Sequence, residues 1–475
     1  MFSQVKRLVG DSFLYAFMSM STKLIAFIMV PIYLHHLTTA EYGALGNIDA
    51  TVSILTFLII FGTDSALAYY YFEVEDAQKK LRYVQNVLGF RLAVALALSV
   101  IIWTLGKEIS LMVTNSPVFG FALNISMLTL LLDTVVTLVI TIYRYEMLTV
   151  RVVILTVLKM ASIAVLSYIL LVYVQGSLDS ILWARLISVG AILLLCGKAV
   201  LQYLKLSFDK EILKEVLKYS APLVPATLSF WVIGSSNRYV MTAMLGPHGL
   251  EAAGIYNAAF QFASMISLLT YGIQMAWRPF SMQIKKKENS RDLFAKIYIA
   301  IFVIGMLGIM AVTTLIPWIF QLLKKDYADA FQYVGFLSLI TFISFYYLII
   351  SSGLLFTKKT KPISYAFGFG AVLSVILNIV LVPLYAIWGT VIANLIAYIV
   401  AVAIIFRKSQ QAYYIPVSAG KLVFILLQTI LSAGSLVYIQ VSHLPGAYQL
   451  LPWVYFIGSL MISRVDRDFR LGMKN

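Results

Sequence analysis

The chain has 475 residues, 61% of them hydrophobic and only 12% charged, with a mean hydropathy of +0.90. Soluble domains carry about a quarter charged residues, so this composition excludes a soluble enzyme or binding domain and points to a polytopic membrane protein whose loops are too short to fold alone. The net charge of +15 is expected to sit in loops on one side of the membrane, and nucleic-acid binding is not expected.

Fourteen spanning helices are expected, at roughly 12–35, 44–71, 83–106, 118–143, 149–174, 179–203, 219–245, 251–275, 294–322, 328–355, 363–384, 388–406, 421–441 and 446–463. Each is near or above the ~20 apolar residues that cross the hydrocarbon core. Lys6 and Arg7 precede a run from Phe13 that continues past Pro31, too long for a signal peptide and read as the first span. Pro31, Pro222, Pro225 and Pro383 fall in or at the ends of these runs and mark kinks. Cys196 is the only cysteine, which excludes an intrachain disulfide and a thiolate metal cluster; it reads as packing.

With the N-terminus cytoplasmic, 27 of the 36 Lys and Arg fall in cytoplasmic segments, and only Lys107, Lys324 and Lys325 lie opposite. That asymmetry places both termini in the cytoplasm and supports an even number of helices. Six basic residues remain in or at the edges of helices: Lys23, Arg91, Lys159, Arg185, Arg238 and Lys296.

An internal repeat is expected. Asp209–Lys218 places Ile212, Leu213, Val216 and Leu217 on one face and charges on the other, as in a helix lying in the cytoplasmic interface. Phe2, Val5, Leu8 and Val9, opposite Lys6 and Arg7, look similar ahead of the first span. Each is followed by a Pro-containing helix with a buried cation and a short turn, TTAEYGALGN at 38–47 and HGLEAAGIYN at 248–257. Aligning Gly43 with Gly254 gives a period of 211 residues. Six helices then repeat as six, in parallel orientation. The expected organisation is a lobe at 1–203, a cytoplasmic link at 204–218, a second lobe at 219–410, and two added helices with a tail at 411–475, the lobes enclosing a central cavity.

Charges inside a bilayer are expensive and mark functional or structural sites. Counted from their turns, Asp64 and Arg91 stand at a common depth, as do Asp133 and Lys159, so each pair can bridge. Lys23 and Arg238 have no acid at matching depth on their hairpin partners, and the repeat puts them in similar places in the two halves. Facing each other across a cavity, they would attract an anion; alternatively they snorkel or pair elsewhere in the fold. Arg185 is a third such cation, nearer the exterior, where snorkelling is easier. Asn237, Tyr256 and Asn257 lie near Arg238 and suit sugar recognition, with helix-packing contacts as the plain alternative. Asp49, Asp64 and Asp133 are the candidates for coupling to H⁺ or Na⁺.

There is no Gly-x-x-x-x-Gly-Lys-[Ser/Thr] loop and no His-Glu-x-x-His. The four histidines lie at exterior ends or turns. No metal, no cofactor and no enzymatic site are expected. A membrane-embedded glycosyltransferase would need a large exterior loop, which this chain does not have.

The segment PIYLHHLTTAEYGALGNIDATVSILTFLIIFGTDSALAYYYFE (31–73) resembles the helix 1–2 signature of bacterial polysaccharide exporters, the O-antigen and oligosaccharidyl-lipid flippases. SNRYVMTAMLGPHGLEAAGIYNAAFQFA (236–263) resembles their helix 7–8 segment, and AWRPF (276–280) their Ala-Trp-x-Pro element. GLLFTKKTKPISY and LNIVLVPLYAIWGTVIAN are similar to their helix 10–12 region. The resemblance covers nearly the whole chain and implies membership of the multidrug/oligosaccharidyl-lipid/polysaccharide exporter superfamily. It implies a transporter, not an enzyme: two six-helix lobes working by alternating access, carrying an undecaprenyl-diphosphate-linked glycan to the outer leaflet of a bacterial cell membrane. Polysaccharide polymerase and other assembly proteins would be its partners alongside the lipid bilayer. It also implies that cavity cations meet the diphosphate, matching Lys23, Arg238 and Arg91. Related flippases often have Arg where this chain has Lys23, and Lys lacks bidentate geometry. The alternative is an H⁺- or Na⁺-coupled drug extruder of the same superfamily.

Overall fold

The computed structural model of the chain describes residues 2–203, 208–285, 288–323 and 325–462. The apolar face expected over residues 2–9 lies outside the described side chains. Among the described residues the fold is all-α, with no strand. By Cα packing the chain forms two compact units, Met1–Gly254 and Ile255–Asn475.

Unit 1 contains α1 (Phe2–His36), α2 (Thr39–Ile60), α3 (Thr63–Glu73), α4 (Ala77–Thr104), α5 (Gly106–Thr114) and α6 (Gly120–Tyr145). It continues through α7 (Thr149–Ile169), α8 (Leu178–Leu195), α9 (Gly197–Tyr203), α10 (Lys210–Ser220), α11 (Val224–Ser235) and α12 (Asn237–Met244). The unit boundary falls inside α13 (Gly249–Ala263). Unit 2 continues through α14 (Ile266–Ile284), α15 (Ser290–Phe320), α16 (Phe331–Ile350), α17 (Ser352–Phe356), α18 (Lys361–Ala412), α19 (Ala419–Val441) and α20 (Leu450–Ile462).

Among the described residues, ten helical stretches are long and apolar enough to cross a membrane, or twelve if two bent pairs each count as one span. The expected count of fourteen is not reproduced, for local reasons. The expected spans at 219–245 and 251–275 are bent, by 47° and 49°, so neither is one straight helix. The last apolar stretch, Gly446–Ile462, is short. The expected spans at 363–384 and 388–406 run together in α18, whose 52 residues would extend ~78 Å if straight. They do not run straight. Ser374 Oγ donates to Asn394 Oδ1 at 2.9 Å and Asn378 Nδ2 to the same oxygen at 3.2 Å. Residues 20 apart meet only if the chain doubles back, and it does so at Ala386, with φ 48° and ψ −123°. Two antiparallel helices, with buried Ser374, Asn378 and Asn394 gluing them, are the result.

The face of α10 is as expected, with Ile212 and Val216 buried and Glu211, Lys214, Glu215 and Lys218 exposed. The apolar face packs into protein, against Ala66, Leu67, Tyr83, Val84 and Val87 of α3 and α4. Asp209 caps α10 through Glu211 N and Ile212 N, Asn86 Oδ1 accepts from Asp209 N at 2.7 Å, and Tyr83 OH donates to Glu215 at 2.7 Å. In unit 2 the core is aromatic: Tyr346 lies 4.9 Å from Phe302 and stacks on Phe342, and its hydroxyl donates to Tyr298 O at 2.9 Å. Trp277 donates to Ser352 Oγ at 2.9 Å.

Cys196, just beyond α8, is 3% exposed in the core of unit 1. A buried thiol with little thiolate reacts slowly. Aqueous maleimide should label Cys196 far more slowly in the folded protein than after unfolding in SDS; equal rates would show that the site is open.

Candidate functional site

The apolar run of 39–73 contains a break that its hydropathy hides. Phe61 and Gly62 both take left-handed conformations, φ 47° and 71°, ending α2 and starting α3. A Cβ at Gly62 would be strained by that φ and would lie 3.1 Å from Ser220 O. The break presents Thr63 and Asp64 as the first turn of α3, where a carboxylate is favoured by the helix dipole. Arg91, 1% exposed on α4, uses both: Nε and Nη2 donate to Thr63 Oγ1 at 2.9 and 2.7 Å, and Nη2 to Asp64 Oδ1 at 2.6 Å. The expected Asp64–Arg91 pair is thus formed. So is Asp133–Lys159, joining α6 to α7 at 2.7 Å, with Thr137 Oγ1 donating to the second carboxylate oxygen at 3.4 Å.

A third pair realises the alternative left open for Arg185, a partner elsewhere in the fold, and names that partner. Arg185 on α8 donates from Nη1 and Nη2 to the two carboxylate oxygens of Asp49 on α2, at 2.5 and 3.2 Å. Arg185 is therefore not a lone cation but one side of a bidentate bridge. Arg91, Asp133, Lys159 and Arg185 line one cavity of about 250 Å³ within unit 1, with Ser126, Thr129, Thr134 and Thr137 among its walls. Asp49 and Asp64 do not line it.

Arg238 is 8% exposed on α12, and its Nη1 donates to Gly234 O, one turn back, at 3.1 Å. Beside it α11 and α12 meet at Ser236, whose backbone stays right-handed at φ −66° and ψ −23°. Lys23 is partly buried on α1. Neither lines the cavity just described. Asn237 is fully buried next to Arg238. Tyr256 and Asn257 are buried in unit 2, Tyr256 stacking with Phe260 at 6.2 Å.

Polar residues of α2 have definite partners. Asn47 Nδ2 donates to Thr242 Oγ1 at 2.8 Å and to Val113 O at 2.6 Å. Tyr239 OH and Thr51 Oγ1 are 2.9 Å apart, and Trp231 donates to Ala50 O at 3.1 Å. At the same end of α2, a Cβ on Gly43 would collide with Leu250 O and one on Gly254 with Thr39 O. The glycines aligned in the expected repeat thus let backbones touch. This contact holds α11, α12 and the start of α13 against α2, which is why unit 1 extends to Gly254.

The fold is that of a helical membrane transporter. It matches a lipid II flippase MurJ structure in an inward closed conformation with TM-score 0.64 at 14% identity, over 97% of this chain and 99% of that one. It matches an inward-facing multidrug resistance MATE family transporter with TM-score 0.56 at 17% identity, over 82% of this chain and 94% of that one. A transporter of the same superfamily from Pyrococcus furiosus matches with TM-score 0.53 at 16% identity, over 86% of this chain and 95% of that one. The chain belongs to the polysaccharide biosynthesis protein family, whose model matches residues 8–285, and the MatE family model matches residues 225–380. An uncharacterised membrane protein of Methanocaldococcus jannaschii is 28% identical over 194 residues, 39% of this chain, and the chain covers 43% of that relative's length.

Removing one partner of a buried ion pair leaves an uncompensated charge, which costs more than removing both. Asp64→Asn alone should lower thermal stability by about 2 kcal/mol, less than for a dry pair because Asp64 is partly exposed. Asp64→Asn with Arg91→Gln should cost less than either single change. Additive losses in a thermal-unfolding cycle would refute the coupling.

Proposed function

We propose that the protein moves a polyprenyl-diphosphate-linked oligosaccharide from the cytoplasmic to the outer leaflet of a bacterial cell membrane, for cell-surface polysaccharide synthesis. Two repeated six-helix lobes, 1–203 and 219–410, joined through 204–218 and followed by 411–475, would alternate access around a central cavity, with both termini cytoplasmic. Lys23 and Arg238 would meet the diphosphate, and Asn237, Tyr256 and Asn257 the sugars or the helices that frame them. A polymerase would take the product.

One observation carries this reading beyond the family. Asp49, Asp64 and Asp133, the intramembrane acids suited to binding a coupling cation, are each engaged by Arg or Lys. The basic side chains in the expected spans of unit 1, Lys23, Arg91, Lys159, Arg185 and Arg238 among them, outnumber these three acids. An interior of that sign favours an anionic substrate over a cationic drug. The match to the MatE family at 225–380 supports the second reading, a cation-coupled multidrug extruder.

A charge-assisted hydrogen bond contributes roughly 1.5–3 kcal/mol, or about 10–100-fold. Arg238→Ala with Lys23→Ala should reduce surface polysaccharide export by at least that factor at normal protein level. Wild-type export by the double variant would remove the cation mechanism. A deletion strain that gains drug sensitivity and keeps its polysaccharide would favour the extruder.

A further inference from the structure

We propose that the cavity inside unit 1 is a binding site for a small inorganic anion, chloride or phosphate, held by Lys159, Arg185 and Arg91. The site is separate from the glycolipid reading and does not depend on it.

The lining carries three cations, Arg91, Lys159 and Arg185, against one acid, Asp133. The carboxylates that neutralise two of those cations are held off the cavity wall: Asp49 and Asp64 are 44% and 45% exposed and absent from the lining. The cavity therefore sees the basic side of each bridge. Each cation is balanced by its own carboxylate, but with apolar walls from Val52, Ile60, Leu130 and Val189 the basic ends of the Arg91 and Arg185 bridges are the nearer charges.

A cation is disfavoured by the same geometry. Asp133 Oδ1 already accepts from Lys159 at 2.7 Å, so any metal ion would share its carboxylate with an ammonium. The wall hydroxyls of Ser126, Thr129 and Thr134 donate to the carbonyls of Ala122, Ile125 and Leu130, so they accept from water rather than replace the cationic donors. An anion would be held by charge and by water bridged to these oxygens. At about 250 Å³, the cavity lies below the ~300–1,000 Å³ of drug-sized sites. It accommodates a hydrated small anion and is too small for a lipid-linked sugar. Every wall comes from α2, α4, α6, α7 and α8, all in unit 1.

The test is thermal unfolding of the purified full-length protein, titrated at constant ionic strength with sodium chloride or sodium phosphate replacing sodium gluconate. A saturable rise in Tm is expected with at least one anion, and the arm that shows it identifies the class. Lys159→Gln should raise the apparent Kd at least tenfold. Asp133→Asn removes the one competing carboxylate and should lower it, even if it lowers Tm without added anion. A bridge that is merely structural would lower Tm in both variants and leave anion dependence unmoved. The opposite signs therefore separate the two roles, and Asp133→Asn decides if Lys159→Gln does not fold. No saturable difference between chloride, phosphate and gluconate in the wild type would overturn the proposal, as would a weaker anion response in Asp133→Asn. No glycolipid is present, so failure here leaves the flippase reading untouched.

Discussion

The constraint on which unit 1 depends is the cost of placing a guanidinium inside a bilayer. Arg91 is almost wholly buried, and its charge is tolerable only because α2 stops where it does. The left-handed pair Phe61–Gly62 turns a helix interior into a helix start, so Thr63 and Asp64 arrive together at the guanidinium. Tyr145 adds its hydroxyl to Asp64 O at 3.2 Å, tying α6 to the same point. The second bridge joins α6 to α7 and the third α2 to α8, so the ion pairs act as cross-links among helices that expose many large apolar side chains. Lipid gives such helices little reason to choose neighbours, and polar contacts supply the choice.

The same logic explains the end of the unit where α2, α5, α12 and the start of α13 converge. Asn47 reaches both Val113 and Thr242, and small residues at Gly43 and Gly254 remove the side chains that would keep backbones apart. The seventh helix of the expected series thereby packs with the helices before it, although the expected repeat would assign it to the helices after it. Packing and repeat are different properties of the chain. The first describes one arrangement, whereas the second describes how its parts are related. A transporter that rearranges would be expected to keep the repeat and change the packing.

What was legible in the sequence follows from what hydropathy and spacing measure. Depth along a helix is a count of residues, so Asp64–Arg91 and Asp133–Lys159 could be paired across adjacent helices from their turns alone. Lateral order is not a count. Asp49 and Arg185 are 136 residues apart, and nothing in either segment says that α2 lies beside α8. The break at Phe61–Gly62 leaves no mark in an apolar run, because two backbone dihedral pairs change and no side-chain pattern does. The doubling back at Ala386 was readable through Pro383 and the return of apolar length, yet the polar contact of Ser374 and Asn378 with Asn394 required the fold. The apolar face of α10 was evident from its period, but whether lipid or protein covers it was not, since both accept Ile212 and Val216 equally.

The central claim is that the protein carries an anionic lipid-linked sugar. It is tested most directly by purified protein in proteoliposomes loaded with a fluorescent polyprenyl-diphosphate-linked oligosaccharide, scored by accessibility of the sugar to an external glycosidase. The account predicts protein-dependent translocation, competed by unlabelled diphosphate-linked lipid and not by a cationic drug. Efflux of a cationic drug from the same vesicles, with no movement of the glycolipid, would contradict it.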